Sequence, residues 1–366
     1  MPKIVPGALP GSVQETLPNS LSEVASAPTG PTGNQQPSLQ AVAAKRRLVG
    51  RFRVQGIAFG LISGISFGLF GVISGAYLES MPFIAMAGLF AAPMVASAIC
   101  DTCSTIWVLF FNLARGAGRE ILRSLRTFPG LMAALCGFVG GPLANGMLLV
   151  GISLAGPAYA LPISALCPVF GALFARIFLK QKLSIRILCG MLICIIGAIV
   201  ISYEPPEGAS NLFYIGILCS LIAALAWGAE GALGVFGMSM IDSNISIQIR
   251  QGASALITLI VIVPLVAAGW GALIDVLAVP ATFGLIALGG LCTAVSYLSW
   301  YASNCRVGVA TGMTLNITYV LWGVVFSLLI LASTITPQII IGALAIMIGA
   351  TLVSLNPLSL FRRKEV

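Results

Sequence analysis

Long apolar segments follow one another from residue 54 onward, separated by short stretches that carry charged, glycine or proline residues. A helix rises about 1.5 Å per residue, so about 20 apolar residues cross a hydrocarbon core of about 30 Å. Ten segments of this kind are expected, and the chain is therefore predicted to be an all-α polytopic membrane protein. Their expected spans are 55–77, 93–113, 129–152, 158–179, 185–203, 213–236, 249–270, 282–302, 309–332 and 337–355.

The second apolar stretch is too long for one crossing. It runs from Met81 to Leu113, and a single helix over it would be about 50 Å long. Proline lacks a backbone N–H and is tolerated in the first turn of a helix but not in its interior. The pattern therefore predicts a break near Pro93, with a short interfacial segment before it and the crossing after it.

Composition agrees with a membrane protein and argues against an enzyme. Of the 366 residues, 58% are hydrophobic and 8% are charged, whereas a soluble domain carries about 25% charged residues. The chain has no histidine, which removes the commonest general base and zinc ligand. No catalytic residue, metal or cofactor is expected. The net charge of +8 comes from basic residues at the ends of apolar runs, so nucleic acid is not an expected partner.

The distribution of charged residues predicts the orientation. Loops on one side hold only acidic residues, and the other side holds the basic clusters, an asymmetry that marks the cytoplasmic face. Both termini are therefore expected in the cytoplasm, in a cell (inner) membrane if the source is bacterial. The acidic loop residues are Glu79, Glu204, Glu207 and Asp275, and the basic residues include Arg115, Arg119, Arg123, Arg126, Lys180, Lys182, Arg186, Arg306, Arg362, Arg363 and Lys364.

An internal repeat divides the chain. A shift of 152 residues places Gly156, Gly171, Gly190 and Gly197 on Gly308, Gly323, Gly342 and Gly349, and a shift of 160 places Gly56, Gly68 and Gly71 on Gly216, Gly228 and Gly231. Each half holds five helices, an odd number, so the halves are predicted to be inverted relative to each other. The expected domains are a disordered cytoplasmic tail with a basic juxtamembrane end (1–53), two five-helix repeats (54–204 and 205–356) and a basic cytoplasmic C-terminal tail (357–366).

The segment 156–202 resembles the EamA-type repeat of the drug/metabolite transporter superfamily. The resemblance is carried by Pro168 and Phe170 in mid-helix, by the basic turn from Lys180 to Lys182 and by a following helix with spaced glycines. It extends over roughly residues 54–356 and weakens in the second half, where Val320 replaces the proline. It implies a ten-helix carrier whose cavity is lined by the first, third and fourth helices and their counterparts. Most relatives export amino acids, metabolites or drugs, and others take up sugars or nucleotide-linked compounds, so the resemblance fixes neither direction nor substrate.

Three ionisable residues lie in apolar segments, where such groups are functional candidates by default. Glu230 shares a helix face with Trp227 and is expected to exchange a proton or bind a cation; the alternative is a structural acid paired with a helix end or with Arg250. Asp101 is expected either to couple transport or to pack helices. Arg250 is expected to anchor the seventh helix at the cytoplasmic headgroups.

Polar and aromatic residues on the presumed cavity helices complete the candidate site. The 152-residue shift places Ser164 on Asn316 and Asn145 on Tyr297, so each half contributes a hydrogen-bonding group at the same depth. The whole set describes an amphipathic cavity for a neutral, zwitterionic or cationic solute of modest size. Its further members are Asn145, Tyr159, Ser164, Tyr297, Trp300, Asn316 and Tyr319.

The function expected from these features is secondary transport of a small organic metabolite by alternating access, with export as the expected direction and protons as the candidate coupling ion. The chain lacks a G-x-x-x-x-G-K-[ST] loop for nucleotide binding. The expected partners are a small-molecule substrate and membrane lipid, in a monomer or a homodimer. Two alternatives stay open: a channel, which needs a continuous polar lining, and a membrane scaffold or sensor that does not transport.

Overall fold

The structure is a computed structural model that describes residues 39–178, 184–203, 212–238, 241–266, 269–307, 312, 315–332 and 336–354. Several expectations lie outside these residues: the first 38 residues of the tail, the basic turn at Lys180 and Lys182, the loop acids Glu204 and Glu207, Gly308 and the C-terminal basic tail. Residues Met1–Val54 form one unit and Gln55–Val366 another.

The described residues are helical, with no strand among them. The described part of the chain contains fifteen α-helices: α1 Leu39–Leu78, α2 Ala91–Ala114, α3 Gly118–Ser124, α4 Phe128–Phe138, α5 Gly146–Ala155, α6 Pro157–Ser164, α7 Cys167–Phe178, α8 Ile185–Tyr203, α9 Phe213–Met238, α10 Ser243–Ile257, α11 Val263–Leu265, α12 Gly269–Leu277, α13 Pro280–Val307, α14 Tyr319–Ile330 and α15 Pro337–Ser354. A 3₁₀ helix, Phe83–Ala85, follows α1. Two π-helical segments, Val139–Asn145 and Thr258–Ile262, join α4 to α5 and α10 to α11.

Seven helical segments among these residues are long and apolar enough to cross a membrane. They are Gly50–Leu78, Ala91–Ala114, Phe128–Ala155, Pro157–Phe174, Phe213–Gly231, Ser243–Leu265 and Pro280–Asn304. Three shorter apolar helices, Ile185–Ile201, Tyr319–Ile330 and Pro337–Leu352, fall where the fifth, ninth and tenth crossings were expected. Each of the ten expected segments thus contains a helix among its described residues, and seven of these helices meet the length of a crossing.

The break predicted near Pro93 is confirmed. Helix α1 ends at Leu78, a 3₁₀ turn follows, and α2 begins at Ala91, so Pro93 lies in the first turn of α2. A proline at this position sacrifices no helical hydrogen bond. The third and fourth crossings are separated in a similar way, because Gly156 adopts a φ of 80° and Pro157 opens the next helix. Glycine adopts this left-handed conformation without steric cost.

The seventh crossing begins earlier than expected, at Ser243, where the Asp242 side chain accepts a hydrogen bond of 2.9 Å from the backbone N–H of Asn244. Arg250 therefore lies inside the helix rather than at its start. Its side chain is 2% exposed. The expectation that Arg250 anchors the helix at the headgroups is wrong, because the earlier helix start places its guanidinium among neighbouring helices.

Large apolar side chains cover the outer faces of the helices, as lipid contact requires. Phe110, Leu265, Leu329 and Ile341 are each at least 60% exposed. Soluble monomers rarely expose wide apolar patches of this kind. Length, composition and surface together describe a multi-pass membrane protein.

Helices α8 and α15 pack through glycines. A Cβ at Gly197 would lie 2.8 Å from the carbonyl oxygen of Gly342, and a Cβ at Gly349 would lie 2.6 Å from that of Gly190. Small residues allow this approach where lipid offers no hydrophobic drive for association. The two contacts exchange positions under the 152-residue shift, since Gly190 corresponds to Gly342 and Gly197 to Gly349.

The same exchange recurs at a second pair of contacts. A Cβ at Gly68 on α1 would lie 2.9 Å from the backbone nitrogen of Gly323, and one at Gly228 on α9 would lie 2.8 Å from that of Gly171. Gly68 corresponds to Gly228 by the shift of 160, and Gly171 to Gly323 by the shift of 152. Positions that the two shifts match therefore make equivalent contacts here as well.

Candidate functional site

A cavity of about 60 Å³ lies among α1, α7, α9, α13 and the residues that lead into α14. Six of the ten residues predicted for the site line this cavity. The complete lining is Phe67, Cys167, Pro168, Trp227, Glu230, Ser296, Tyr297, Trp300, Asn316, Ile317 and Tyr319.

Phe67 on α1 organises the aromatic wall of the cavity. Its ring centroid lies 5.6 Å from that of Trp227, 6.4 Å from that of Tyr297 and 5.0 Å from that of Tyr319, each in an edge-to-face arrangement. Such pairs are favoured because the positive edge of one ring meets the negative face of another. Rings from α1, α9, α13 and α14 are thereby held together at one place.

Polar groups interrupt this wall at defined points. The Asn316 side chain donates a hydrogen bond of 2.7 Å to Ser63 Oγ, which lies 3.1 Å from Ser296 Oγ. Trp300 Nε1 is buried and has no hydrogen-bond partner within the described ranges. An indole N–H is a donor only, so this lining residue carries a donor that the described side chains leave unused.

Glu230 is engaged by Arg250 in a buried bidentate ion pair. Arg250 Nε lies 2.5 Å from Oε1 of Glu230, and Nη2 lies 3.0 Å from Oε2. The third guanidinium nitrogen donates to Gln251, and the guanidinium stands 4.4 Å from the centroid of the Tyr297 ring. A Cβ at Gly140 would collide with both members of the pair, so the absence of a side chain there gives the pair its room.

Asp101 on α2 belongs to a second polar cluster, outside the cavity lining. Its Oδ1 accepts a hydrogen bond of 3.2 Å from Asn145 Nδ2, and its Oδ2 accepts one of 2.5 Å from Ser254 Oγ. Asp101 is 3% exposed. In the part of the chain that the structure describes, no Lys or Arg side chain forms an ion pair with it.

The remaining predicted residues lie apart from the cavity lining. Ser164 Oγ lies 3.1 Å from the hydroxyl of Tyr319 and so supports a lining residue from behind. Tyr159 packs edge-to-face on Phe213, with ring centroids 5.1 Å apart. Asn145 contacts Asp101 rather than the cavity. The structure thus divides the predicted set into a cavity group with Ser164 behind it, a pair formed by Asp101 and Asn145, and Tyr159.

Phe67, Cys167 and Ser254 were not among the predicted site residues. The repeat predicted from the sequence carried a signal for the first two. The shift of 160 places Phe67 on Trp227, and the shift of 152 places Cys167 on Tyr319; all four line the cavity. Ser254 gave no such signal. A serine on an apolar helix looks alike whether it packs or binds a carboxylate.

Three comparisons with known proteins bear on this geometry. Residues 54–203 match the model of the EamA-like transporter family. Protein LicB of Haemophilus influenzae is 25% identical over 300 residues, which is 81% of this chain and 96% of LicB. A crystal structure of a protein superposes with a TM-score of 0.55 at 16% identity, over 86% of this chain and all of that one. At this identity, the last similarity concerns the fold alone.

Proposed function

We propose that the chain moves a small organic solute across the membrane by alternating access, because residues 54–203 match the model of the EamA-like transporter family. Members of that family are transporters of small solutes rather than enzymes. The cavity lined by residues from both halves of the chain is the observation that carries the proposal.

The architecture proposed for this activity is ten helices in two inverted five-helix repeats, at 54–204 and 205–356. The exchanged glycine contacts support it. In a two-fold arrangement, a contact between one position of the first half and another position of the second half recurs with the two positions exchanged. Gly197 with Gly342 and Gly349 with Gly190 satisfy this requirement. An odd number of helices in each half makes the relation an inversion.

The solute site is proposed to be the cavity around Phe67. Equivalent positions of the two halves meet there, Phe67 with Trp227 and Cys167 with Tyr319. A site on a pseudo-two-fold axis can open to either face when the halves exchange conformations. The position of the cavity between the halves therefore suits alternating access.

The chemistry of the lining suits a small amphipathic solute. Aromatic rings supply apolar faces that also attract organic cations, and Asn316 and Trp300 supply polar contacts. The Glu230 carboxylate is compensated by Arg250, so the lining does not demand a charged ligand. Neutral, zwitterionic and cationic solutes all stay within the proposal, and export from the cytoplasm with both termini inside is its proposed direction.

The two alternatives, a channel and a scaffold or sensor without transport, make different demands on the cavity. A channel needs a continuous polar path, and Phe67 with the three rings around it interrupts any such path at the cavity. A scaffold or sensor without transport needs no enclosed space between the halves. Saturable solute movement separates transport from both alternatives.

The test is solute flux in liposomes that contain the full chain, screened against amino acids, nucleobases, sugars and cationic dyes. Trp300→Phe keeps the ring but removes the indole donor, and it is expected to raise the KM of a transported solute roughly fivefold, the equivalent of one hydrogen bond of about 1 kcal/mol. Trp270, which is exposed, provides the matched control as Trp270→Phe.

The control is expected to transport like the wild type. Flux that rises linearly with concentration, without saturation, would support a channel instead. An absence of flux for the whole panel in the wild type would support the scaffold. An unchanged KM in Trp300→Phe would remove Trp300 from the site while leaving transport intact.

A further inference from the structure

Three charged side chains are buried in the membrane-spanning helices that the structure describes. They are Asp101 on α2, Glu230 on α9 and Arg250 on α10, none more than 6% exposed. When all three are ionised, their charges sum to minus one. A charge buried away from water is costly unless it is paired, so one carboxylate of this group lacks a compensating charge.

Glu230 is the compensated carboxylate. Both of its oxygens accept hydrogen bonds from Arg250. Adding a proton to Glu230 would leave Arg250 as a buried cation without a counter-charge. An uncompensated buried charge is strongly destabilising. Glu230 is therefore poorly suited to gain and lose a proton during each transport cycle.

Among the described residues, the hydrogen bonds to Asp101 come from neutral side chains, and these fit both of its protonation states. The Asn145 amide donates to Oδ1 in either state. The Ser254 hydroxyl donates to Oδ2, and because a hydroxyl also accepts, it can rotate and accept from Asp101 when that oxygen carries a proton. With these partners, both oxygens of the carboxyl group keep a hydrogen bond in either protonation state.

One partner of Asp101 lies in a π-helical segment, and the other lies close to one. Asn145 is the last residue of the segment Val139–Asn145, and Ser254 lies one turn before the segment Thr258–Ile262. Single-turn π segments within α-helices are frequent at functional sites. Asp101 therefore links α2 to the third and seventh expected crossings, in each case at a π-helical segment or within one turn of it.

We propose that Asp101 carries the coupling proton of this transporter, an inference that rests on the proposed function. A proton from the aqueous phase binds one carboxylate oxygen, which makes the buried group of charges neutral, and the same proton later leaves to the opposite aqueous phase. Neutralisation lowers the cost of moving these helices through an apolar environment. The carrier rearranges when Asp101 is protonated and is held in place when it is charged.

The other ionisable groups around Asp101 leave this role to it. Arg250 faces it from α10, Tyr297 from α13, Tyr77 from α1 and Cys100 from its own helix. Tyrosine and cysteine ordinarily hold their protons at neutral pH, and Arg250 is engaged by Glu230. The π-helical segments bring no ionisable side chain.

The first test needs no solute, because its probe is the proton. Infrared difference spectra of the full chain in lipid, recorded across a pH titration, report the carbonyl stretch of a protonated carboxyl group. We expect the wild type to show a buried carboxyl band that grows as the pH falls, and Asp101→Asn to lack it. Asp275→Asn, at an exposed aspartate, is the matched control and keeps the band. A band that persists in Asp101→Asn would overturn the proposal.

A second variant keeps the test decisive if Asp101→Asn does not fold. Ser254→Ala retains the carboxyl group but removes the hydroxyl that stabilises its charged form. The midpoint of the band is expected to move to higher pH by about one unit, the equivalent of one buried hydrogen bond. An unchanged midpoint would mean that the titrating group is elsewhere, against the proposal.

The last step links the proton to transport. For one proton per solute, a gradient of about one pH unit drives about tenfold accumulation, and Asp101→Asn is expected to lose it while Asp275→Asn keeps it. Wild-type transport that ignores the gradient would overturn the coupling but leave the proposed function standing. A titrating Asp101 in a chain that transports nothing would instead overturn the proposed function, and the coupling with it.

Discussion

At the scale of the residue, the ion pair between Arg250 and Glu230 sets the properties of the cavity edge. The guanidinium uses all three of its nitrogens, two on Glu230 and one on Gln251, and stacks on Tyr297. A charge held by this many partners has little freedom to move. We interpret the pair as a fixed electrostatic element of the wall, which orients Tyr297 toward the cavity.

Removing one member of the pair is expected to destabilise the protein strongly. Glu230→Gln leaves Arg250 buried without a counter-charge, a change that costs about 3–5 kcal/mol. Thermal unfolding in detergent measures the loss, and Glu79→Gln at an exposed glutamate is the matched control, expected to unfold like the wild type.

The double variant separates the charge from the lost contact. Glu230→Gln combined with Arg250→Met removes both charges, and it is expected to regain part of the stability because no unpaired ion remains. If Glu230→Gln unfolds at the wild-type temperature, the pair is not the fixed element described above.

At the scale of the element, glycines decide how closely the helices approach. Gly197 and Gly349 lie at equivalent positions of α8 and α15, and each faces the backbone carbonyl of a glycine on the other helix. Backbone atoms cannot rotate away as a side chain does. A methyl group at either position must therefore push the two helices apart.

Alanine substitutions should have opposite effects at packed and open glycines. Gly197→Ala and Gly349→Ala are each expected to destabilise the protein by about 1–3 kcal/mol through overpacking. Gly284, whose Cβ would meet nothing within 4 Å, is the control, and Gly284→Ala is expected to stabilise α13 by about 0.5–1 kcal/mol.

Thermal unfolding of the three variants measures these differences. Similar losses for Gly197→Ala and Gly349→Ala are expected from a two-fold relation between the halves. A loss at one position and none at the other would argue against equivalent packing.

At the scale of the whole molecule, the distribution of charge predicts how the chain lies in the membrane. The loop after α1 carries Glu79. The connection between the second and third crossings, which contains α3, carries Arg119. Basic loops stay in the cytoplasm. The two loops are therefore expected on opposite faces, with Glu79 outside.

Cysteine labelling measures this orientation. In a background without the native cysteines, Glu79→Cys is expected to react with a membrane-impermeant maleimide added to intact cells. Arg119→Cys is expected to react only after the membrane is made permeable. Both positions are exposed in the structure. The reverse pattern would invert the proposed orientation, and equal labelling of both in intact cells would contradict the number of crossings between them.

The sequence by itself determined the class of protein and the places of its helices. Crossing a hydrocarbon core requires about 20 apolar residues whose backbone hydrogen bonds are internal, so the pattern of apolar segments is a direct physical consequence of the membrane. The break before Pro93 and the matched glycines could also be predicted from the sequence, because proline and glycine act locally through the backbone.

The tertiary structure alone decided which side chains meet. Glu230 and Arg250 lie on different helices, as do Asp101, Asn145 and Ser254, and the pattern along one helix does not specify the rotation of its neighbour. Arg250 was misplaced because its helix begins at Ser243, a start set by a local cap rather than by hydropathy. Packing, and not periodicity, determined that Glu230 is paired and that Asp101 is not.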